Sequence, residues 1–363
     1  MGEGQRQRRK VVVWGTGNVG RPAIRAVAAH RDLDLVGVVV ADPTKVGEDA
    51  GTLAGIAPLG CIATTDAEAV VPGADAVIYT ATADTRPGDA LNDLEWCLRS
   101  GANVLSTSFY ALSHPATVPV GLAERVGAAC EEGGASVFVS GIDPGWVVDV
   151  LPAIAATVSA NIAEIRVQEL FDYSLYDQPD VVRNIIGFGR SLDELPLMLH
   201  DGSLRFVWEP ALRNLADLLG VEVEVVTTSV ERHALETDVD TDAMGHFAAG
   251  TQGAFRFEVT AVVAGRPLLV IEHVTRIHPD CAPHWPRPSS PGGEHKVVIS
   301  GNPHLELTVH GVERDEPGAA GGGNAVAANR LVNAVPQVCD APPGVLGPAD
   351  LPTPDPAAQL RPE

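Results

Sequence analysis

The chain has 363 residues, 45% of them hydrophobic and 20% charged, which describes a folded protein with material for two cores rather than a disordered chain. Its formal net charge of −22 excludes nucleic acid and anionic membrane surfaces as partners, because both are bound by clustered Lys and Arg. No apolar run reaches the ~18–20 residues of a membrane span, and the N-terminus has no apolar signal core.

The five cysteines (Cys61, Cys97, Cys130, Cys281, Cys339) are scattered, with no C-x-x-C pair and no His at ligand spacing. That pattern points to reduced thiols in a cytoplasmic protein and to no metal site.

Taken in order, the chain opens with Val11–Gly15, whose three successive valines read as a buried parallel strand. It runs directly into Gly15-Thr16-Gly17-Asn18-Val19-Gly20 and then a helical run over Arg21–His30. This is the dinucleotide-binding fingerprint in its required strand–turn–helix context. Gly15 allows the tight turn, Gly17 lets the backbone approach a pyrophosphate, and Gly20 lets helix pack on strand. The helix N-terminus offers unpaired N–H groups to the phosphates. Further strands are expected at Leu35–Ala41, Ala76–Ala81, Val104–Thr107 and Ser136–Ser140, with helices at Asp89–Ser100 and Val118–Glu132. Such alternation means a Rossmann-type parallel sheet, with ligands outside the carboxyl ends of its strands. Asp42, Lys45, Thr82 and Thr107 follow those ends and join Gly15–Gly20 as candidate cofactor residues.

After Trp146 the pattern changes. Helices are expected at Leu151–Val158, Gln178–Arg190, Leu192–Leu199 and Trp208–Leu219. Strands are expected at Ile165–Phe171, Val221–Leu235, Gly253–Ala264, Leu268–Ile277, Lys296–Ile299 and His304–Val309. This is an α+β domain with an open, largely antiparallel sheet, whose bare face a homodimer would cover. Glu316–Asn324 reads as a glycine-rich linker and Ala325–Val335 as a short helix returning to the first domain. The expected domains are 1–145, completed by 325–363, and 146–315.

The ordered motifs Trp14–Gly20, Lys45–Gly51, Gly101–Thr107, Asp143–Gly145, Glu169–Ser174 with Tyr176, Gly187–Gly189, Arg330–Pro336 and Ala341–Gly344 carry a resemblance over nearly the whole chain. It resembles the dihydrodipicolinate-reductase-like oxidoreductases, in the branch of 2,4-diaminopentanoate dehydrogenase and the native amine dehydrogenases. The resemblance implies NAD(P)-dependent hydride transfer at a C=N bond, in either direction. In that branch the segment after the fifth strand resembles Thr-Thr-x-Glu-Glu, and its first Glu handles ammonia. Phe109 and Tyr110 occupy the matching positions here, so that carboxylate is absent. Asp143 also departs, since relatives resemble His-Pro-Gly there.

Hydride transfer needs orientation, exclusion of water and a proton source near the nicotinamide. Tyr110, His114 and Asp143 are the candidate catalytic residues: a phenol that can protonate the developing alkoxide or amide, a loop imidazole, and a carboxylate able to orient a substrate amine or a catalytic His. Phe109, Trp146, Glu169, Tyr173 and Tyr176 are candidate substrate-wall residues. Asp42 favours NAD by repelling a 2′-phosphate, while Lys45 and Thr44 keep NADP open. The expected function is hydride transfer between a nicotinamide and a small imine, amine or ketone. An alcohol-forming carbonyl reductase using Tyr110 as acid, and a catalytically silent NAD(P)-binding protein, remain as alternatives.

Overall fold

Val11, Val12 and Val13 have no exposed surface, and they form the middle of β1 (Arg9–Trp14). In the computed structural model, which describes residues 8–175, 181–242, 244–314, 319–352 and 356–360, this strand leads into α1 (Gly20–Ala29) and then β2 (Leu33–Val39). A short α2 (Ala50–Leu53) precedes β3 (Ala63–Thr64) and β4 (Ala76–Tyr79). There follow α3 (Pro87–Arg99), β5 (Asn103–Ser106), α4 (Val120–Gly133) and β6 (Ser136–Val139).

Two compact units make up the chain: Met1–Ile142 with Asn324–Glu363, and Asp143–Gly323. The second contains α5 (Val150–Ala156), β7 (Ala160–Asp172), α6 (Asp201–Leu219) and β8 (Val225–Ala234). It continues with the small pair β9 (Val239–Thr241) and β10 (Gly245–Phe247), then β11 (Gln252–Val263), β12 (Arg266–Arg276), β13 (Gly293–Asn302) and β14 (Leu305–Val309). The last elements are α7 (Ala319–Asp340), which from Asn324 onward belongs to the first unit, and β15 (Gly344–Leu346).

The first unit's sheet runs β3-β2-β1-β4-β5-β6-β15, with every pair parallel. The order reverses between β1 and β4, the switch point at which such sheets open a crevice at their carboxyl ends. Ala328, Leu331, Val332 and Val335 of α7 lie in one buried cluster with Val11, Val13, Ile24 and Phe138. The C-terminal helix is therefore part of this core.

The second unit's sheet runs β14-β13-β7-β12-β11-β8. Its pairs are antiparallel except β12 with β7. Alternate residues Ile165 and Val167, Leu269 and Ile271, Phe255 and Phe257, and Val297 and Ile299 form a buried apolar face. The first-unit strands and the second-unit strands lie where the hydrophobic pattern puts them, within a few residues.

Four expectations change. Only Leu197–Leu199, a single 3-10 turn, is helical within Leu192–Leu199. Of Gln178–Arg190, residues 178–180 lie outside the described residues and Val181–Ile185 forms one π turn. Gly187 and Gly189 then take φ of +84° and +79°, which a helix cannot use. Trp208–Leu219 extends back to Asp201. Within the expected linker, residues 315–318 lie outside the described residues, but Ala319–Gly323 already belongs to α7.

Among the described residues no helix is long and apolar enough to cross a membrane.

Candidate active site

In the first unit the glycine turn is dictated by contact. Gly15 has φ +108°, and a Cβ at Gly20 would stand 2.0 Å from the Gly15 carbonyl oxygen, so neither position tolerates a side chain. Gly17 differs: a Cβ there would meet nothing within 4 Å. The protein's own packing does not require glycine at 17, whereas a diphosphate drawn against the backbone does. No acidic side chain stands in the first turn of α1, leaving its N–H groups to an anion. Thr16 is buried, Asn18 is exposed and Val19 packs partly on the core. These residues fit a dinucleotide.

Lys45 Nζ donates to Thr16 Oγ1 at 3.2 Å, tying the turn after β2 to the glycine loop. The Asp42 carboxylate accepts from Thr44 Oγ1 at 2.7 Å and from Thr44 N at 2.9 Å, and these bonds hold its pKa below the ordinary value. Thr82, after β4, accepts from Asp84 N at 3.3 Å, and Thr107 directly follows β5. Phe109 lies against Tyr79 with ring centroids 5.4 Å apart. Tyr110 opens a 3-10 turn at Tyr110–Leu112, and His114 is buried just beyond it. All of these lie after the carboxyl ends of parallel strands, as the alternation predicts.

In the second unit a polar cluster interrupts the apolar sheet face. Strand register places His273 of β12 and His295 of β13 on either side of Glu169 of β7, in one row across three strands. His273 Nδ1 stands 3.2 Å from Glu169 Oε1, and its Nε2 stands 3.2 Å from Asp143 Oδ2. His295 Nε2 is 3.4 Å from Glu169 Oε2. Asp143 is held from its other side, where Trp208 Nε1 of α6 donates to Oδ1 at 2.9 Å. Phe257 stacks on the His273 ring at 4.5 Å and Trp208 meets it edge-on at 4.8 Å.

Each nitrogen of His273 stands within ion-pair distance of a carboxylate oxygen, an arrangement that favours the imidazolium. Burial alone would lower its pKa, but the Glu169 and Asp143 carboxylates outweigh burial and push it up to about 10. Burial would likewise raise the pKa of Glu169, and the charges and hydrogen bonds of His273 and His295 instead hold it well below the carboxylate range.

Of the residues singled out in the sequence, Asp143 and Glu169 are brought together. Trp146 lies three residues past Asp143, half-buried. Tyr173 opens the turn after β7 and packs on Phe188 at 6.5 Å. Tyr176 lies outside the described residues. His273, His295, Trp208 and Phe257 were missed. Each histidine does carry a signal, since it stands on the inward phase of an alternating strand where the pattern calls for an apolar residue.

Residues 146–360 match the model of the 2,4-diaminopentanoate dehydrogenase C-terminal domain, and residues 9–109 that of the dihydrodipicolinate reductase N-terminus. The chain belongs to this family of dihydrodipicolinate-reductase-like dehydrogenases. It is 49% identical over 344 residues to an amine dehydrogenase of Streptomyces virginiae, covering 94% of this chain and 95% of the relative. It is 24% identical to the 2,4-diaminopentanoate dehydrogenase of Acetoanaerobium sticklandii, over 95% and 94% of the two chains. The solved amine dehydrogenase of Mycobacterium smegmatis has the same fold, with a TM-score of 0.71 at 20% identity, over 96% of this chain and 97% of that one. As a member of the family the chain is an NAD(P)-dependent oxidoreductase that moves hydride to or from a small molecule.

The charge cluster makes stability pH-dependent with a definite sign. The native state holds the His273 proton more tightly than the unfolded chain does. Its contribution is complete below the ordinary 6.5 and is lost as pH climbs through about 10. Glu169 contributes in the opposite sense, above its ordinary 4.5, with loss as pH falls. Urea unfolding of the protein should therefore lose on the order of 2–5 kcal/mol between pH 7 and pH 10. A His273→Gln variant should be less stable at pH 7 and show little of that slope.

Proposed function

We propose that this protein is an amine dehydrogenase, interconverting a small primary amine with the corresponding imine or ketone at the expense of NAD(P)+ or NAD(P)H. The 49% identity to a protein of that name across nearly both chains carries the reading. The second-unit cluster supports it, because the carboxylates of Asp143 and Glu169 stand on either side of His273 and a carboxylate suits an ammonium group. Asp143, Glu169 and His295 could each also offer one ligand atom to a metal. We read the positive charge there as that of His273, which already pairs with both carboxylates, and assign no metal.

The cofactor would lie with its diphosphate on Gly15–Gly20 and supply the two-electron hydride chemistry. Its adenosine ribose would meet Asp42, whose carboxylate is ionised and would repel a 2′-phosphate. Lys45, held at Thr16, belongs on this reading to the diphosphate, so NAD is preferred over NADP. Changing Asp42→Asn should weaken NADH binding and tighten NADPH binding, moving the ratio of their dissociation constants about tenfold in fluorescence titrations. An unchanged ratio would remove Asp42 from the ribose site.

The reaction is tested by following reduced-nicotinamide absorbance with a panel of simple aliphatic and cyclic ketones, with and without ammonium chloride. Oxidation that requires ammonium is expected. Turnover that ignores ammonium would instead support a carbonyl reductase acting through Tyr110.

We also read the protein as a cytoplasmic homodimer. All five thiols are free. The sheet face opposite His273 carries the ion pairs of Arg166 and Arg256 with Glu272, in which both arginines stay partly exposed. Light scattering that gave a monomer mass at micromolar concentration would overturn the dimer.

A further inference from the structure

Thr80, the residue directly after β4, stands against both ends of the glycine turn. Its amide donates to the Trp14 carbonyl at 2.8 Å, which continues the pairing of β1 with β4 by one rung. Its hydroxyl lies 3.1 Å from that carbonyl oxygen and 3.3 Å from the carbonyl oxygen of Gly15, and donates to the pair. Since the amide already serves Trp14, what the hydroxyl adds is a donor for Gly15. The same oxygen excludes side chains around it. A Cβ at Gly15 would stand 2.7 Å from Thr80 Oγ1, and a Cβ at Gly20 would stand 2.9 Å from it. Thr80 Oγ1 therefore occupies the corner where the turn leaves its strand and where it enters α1.

A peptide unit is planar, so a donor that fixes the Gly15 carbonyl also fixes the N–H of Thr16 and the line along which the chain sets out toward Gly17. Gly15 needs such a contact. Its φ of +108° is one of many conformations open to glycine, and an outside group must select it. On the other flank Lys45, which follows β2, donates to Thr16 Oγ1 at 3.2 Å. The turn after β1 is thus gripped from β2 and from β4, the two strands that border β1 in the sheet.

We propose that Thr80 is a positioning residue for the cofactor: its hydroxyl holds the Gly15–Thr16 peptide in the orientation that lays the glycine turn against a diphosphate. The assignment rests on the reading above that places the diphosphate on Gly15–Gly20, and not on the identity of the substrate. Its contribution is preorganisation, because a turn already held in the bound shape gives up less freedom when the ligand arrives.

Ser106 supplies the control. It ends β5, it is fully buried, and its hydroxyl donates to the Tyr79 carbonyl at 2.8 Å. Both hydroxyls make the same kind of bond, from one strand end back to a carbonyl at the end of the neighbouring strand. The Ser106 bond, however, ends on β4 and not on the glycine turn. Loss of either hydroxyl should lower the urea midpoint, but only the loss at Thr80 should cost cofactor affinity.

The test uses the full chain and fluorescence titration with the tighter-binding of NADH and NADPH, and ADP-ribose is measured by its displacement of that dinucleotide. Thr80→Val keeps the branched shape and removes the hydroxyl. It should weaken the dinucleotide and ADP-ribose alike by about tenfold, the scale of one hydrogen bond, while Ser106→Ala stays within about twofold of the parent. Thr80→Ser keeps the hydroxyl and should stay within about threefold. That variant carries the test if the valine protein does not fold, since a loss of about tenfold in it would assign the effect to packing. The assignment is overturned by a Thr80→Val affinity within about twofold of the parent, by an equal loss in Ser106→Ala, or by a loss that ADP-ribose escapes. A parent that binds neither dinucleotide would overturn the cofactor placement with it. No turnover enters the measurement, so a failed amine-dehydrogenase reading leaves this assignment standing.

Discussion

Two carboxylates that share the apolar face of a sheet need a cation, because desolvating an unpaired charge costs several kcal/mol. His273 is that cation, and the arrangement of the second unit follows from keeping it in place. Parallel pairing of β12 with β7 sets His273 beside Glu169, and antiparallel pairing of β13 sets His295 on the other side. Asp143 enters from the segment after β6, outside the sheet, and needs a tether of its own. Trp208 on α6 provides it, and the indole that makes this bond also packs on Phe257 and His273. One aromatic side chain therefore joins helix packing to the electrostatics of the row.

The first unit solves a different problem by a different means. Its ligand is a long polyanion, and what it needs is exposed backbone N–H rather than side-chain charge. Glycine appears where contact forbids anything else, at Gly15 and Gly20, and also at Gly17, where contact forbids nothing. The contrast separates glycines that the fold requires from one that it does not. Position 20 would be refused by the fold alone, since its Cβ would strike the Gly15 carbonyl.

That difference also explains what could be read from the chain. The glycine loop, its strand and its helix lie within about twenty consecutive residues, and local rules suffice for signals that close. The row of Glu169, His273 and His295 spans more than a hundred residues of sequence and exists only once three strands are in register. Asp143 and Glu169 could be suspected singly, and Asp143 was suspected of orienting a histidine, but nothing local said which one. The Leu192–Leu199 segment failed for the opposite reason. Its leucines at 192, 195 and 199 have helical spacing, but Gly187, Gly189 and Pro196 break the backbone around them, and Leu192, Leu195 and Leu197 remain exposed.

Register also divides the chemistry of β12 between the two faces of its sheet. Glu272 and His273 are neighbours and point to opposite sides. Glu272 meets Arg166, Arg256 and Gln168 in a network that also takes in Glu164, Glu231 and Glu258. His273 meets two carboxylates whose charge it only half balances. Slipping β12 by one residue would place an acid beside Glu169 and a histidine among arginines, so both faces would lose their pairing at once. The outer network thus helps hold the register on which the inner row of Glu169, His273 and His295 depends.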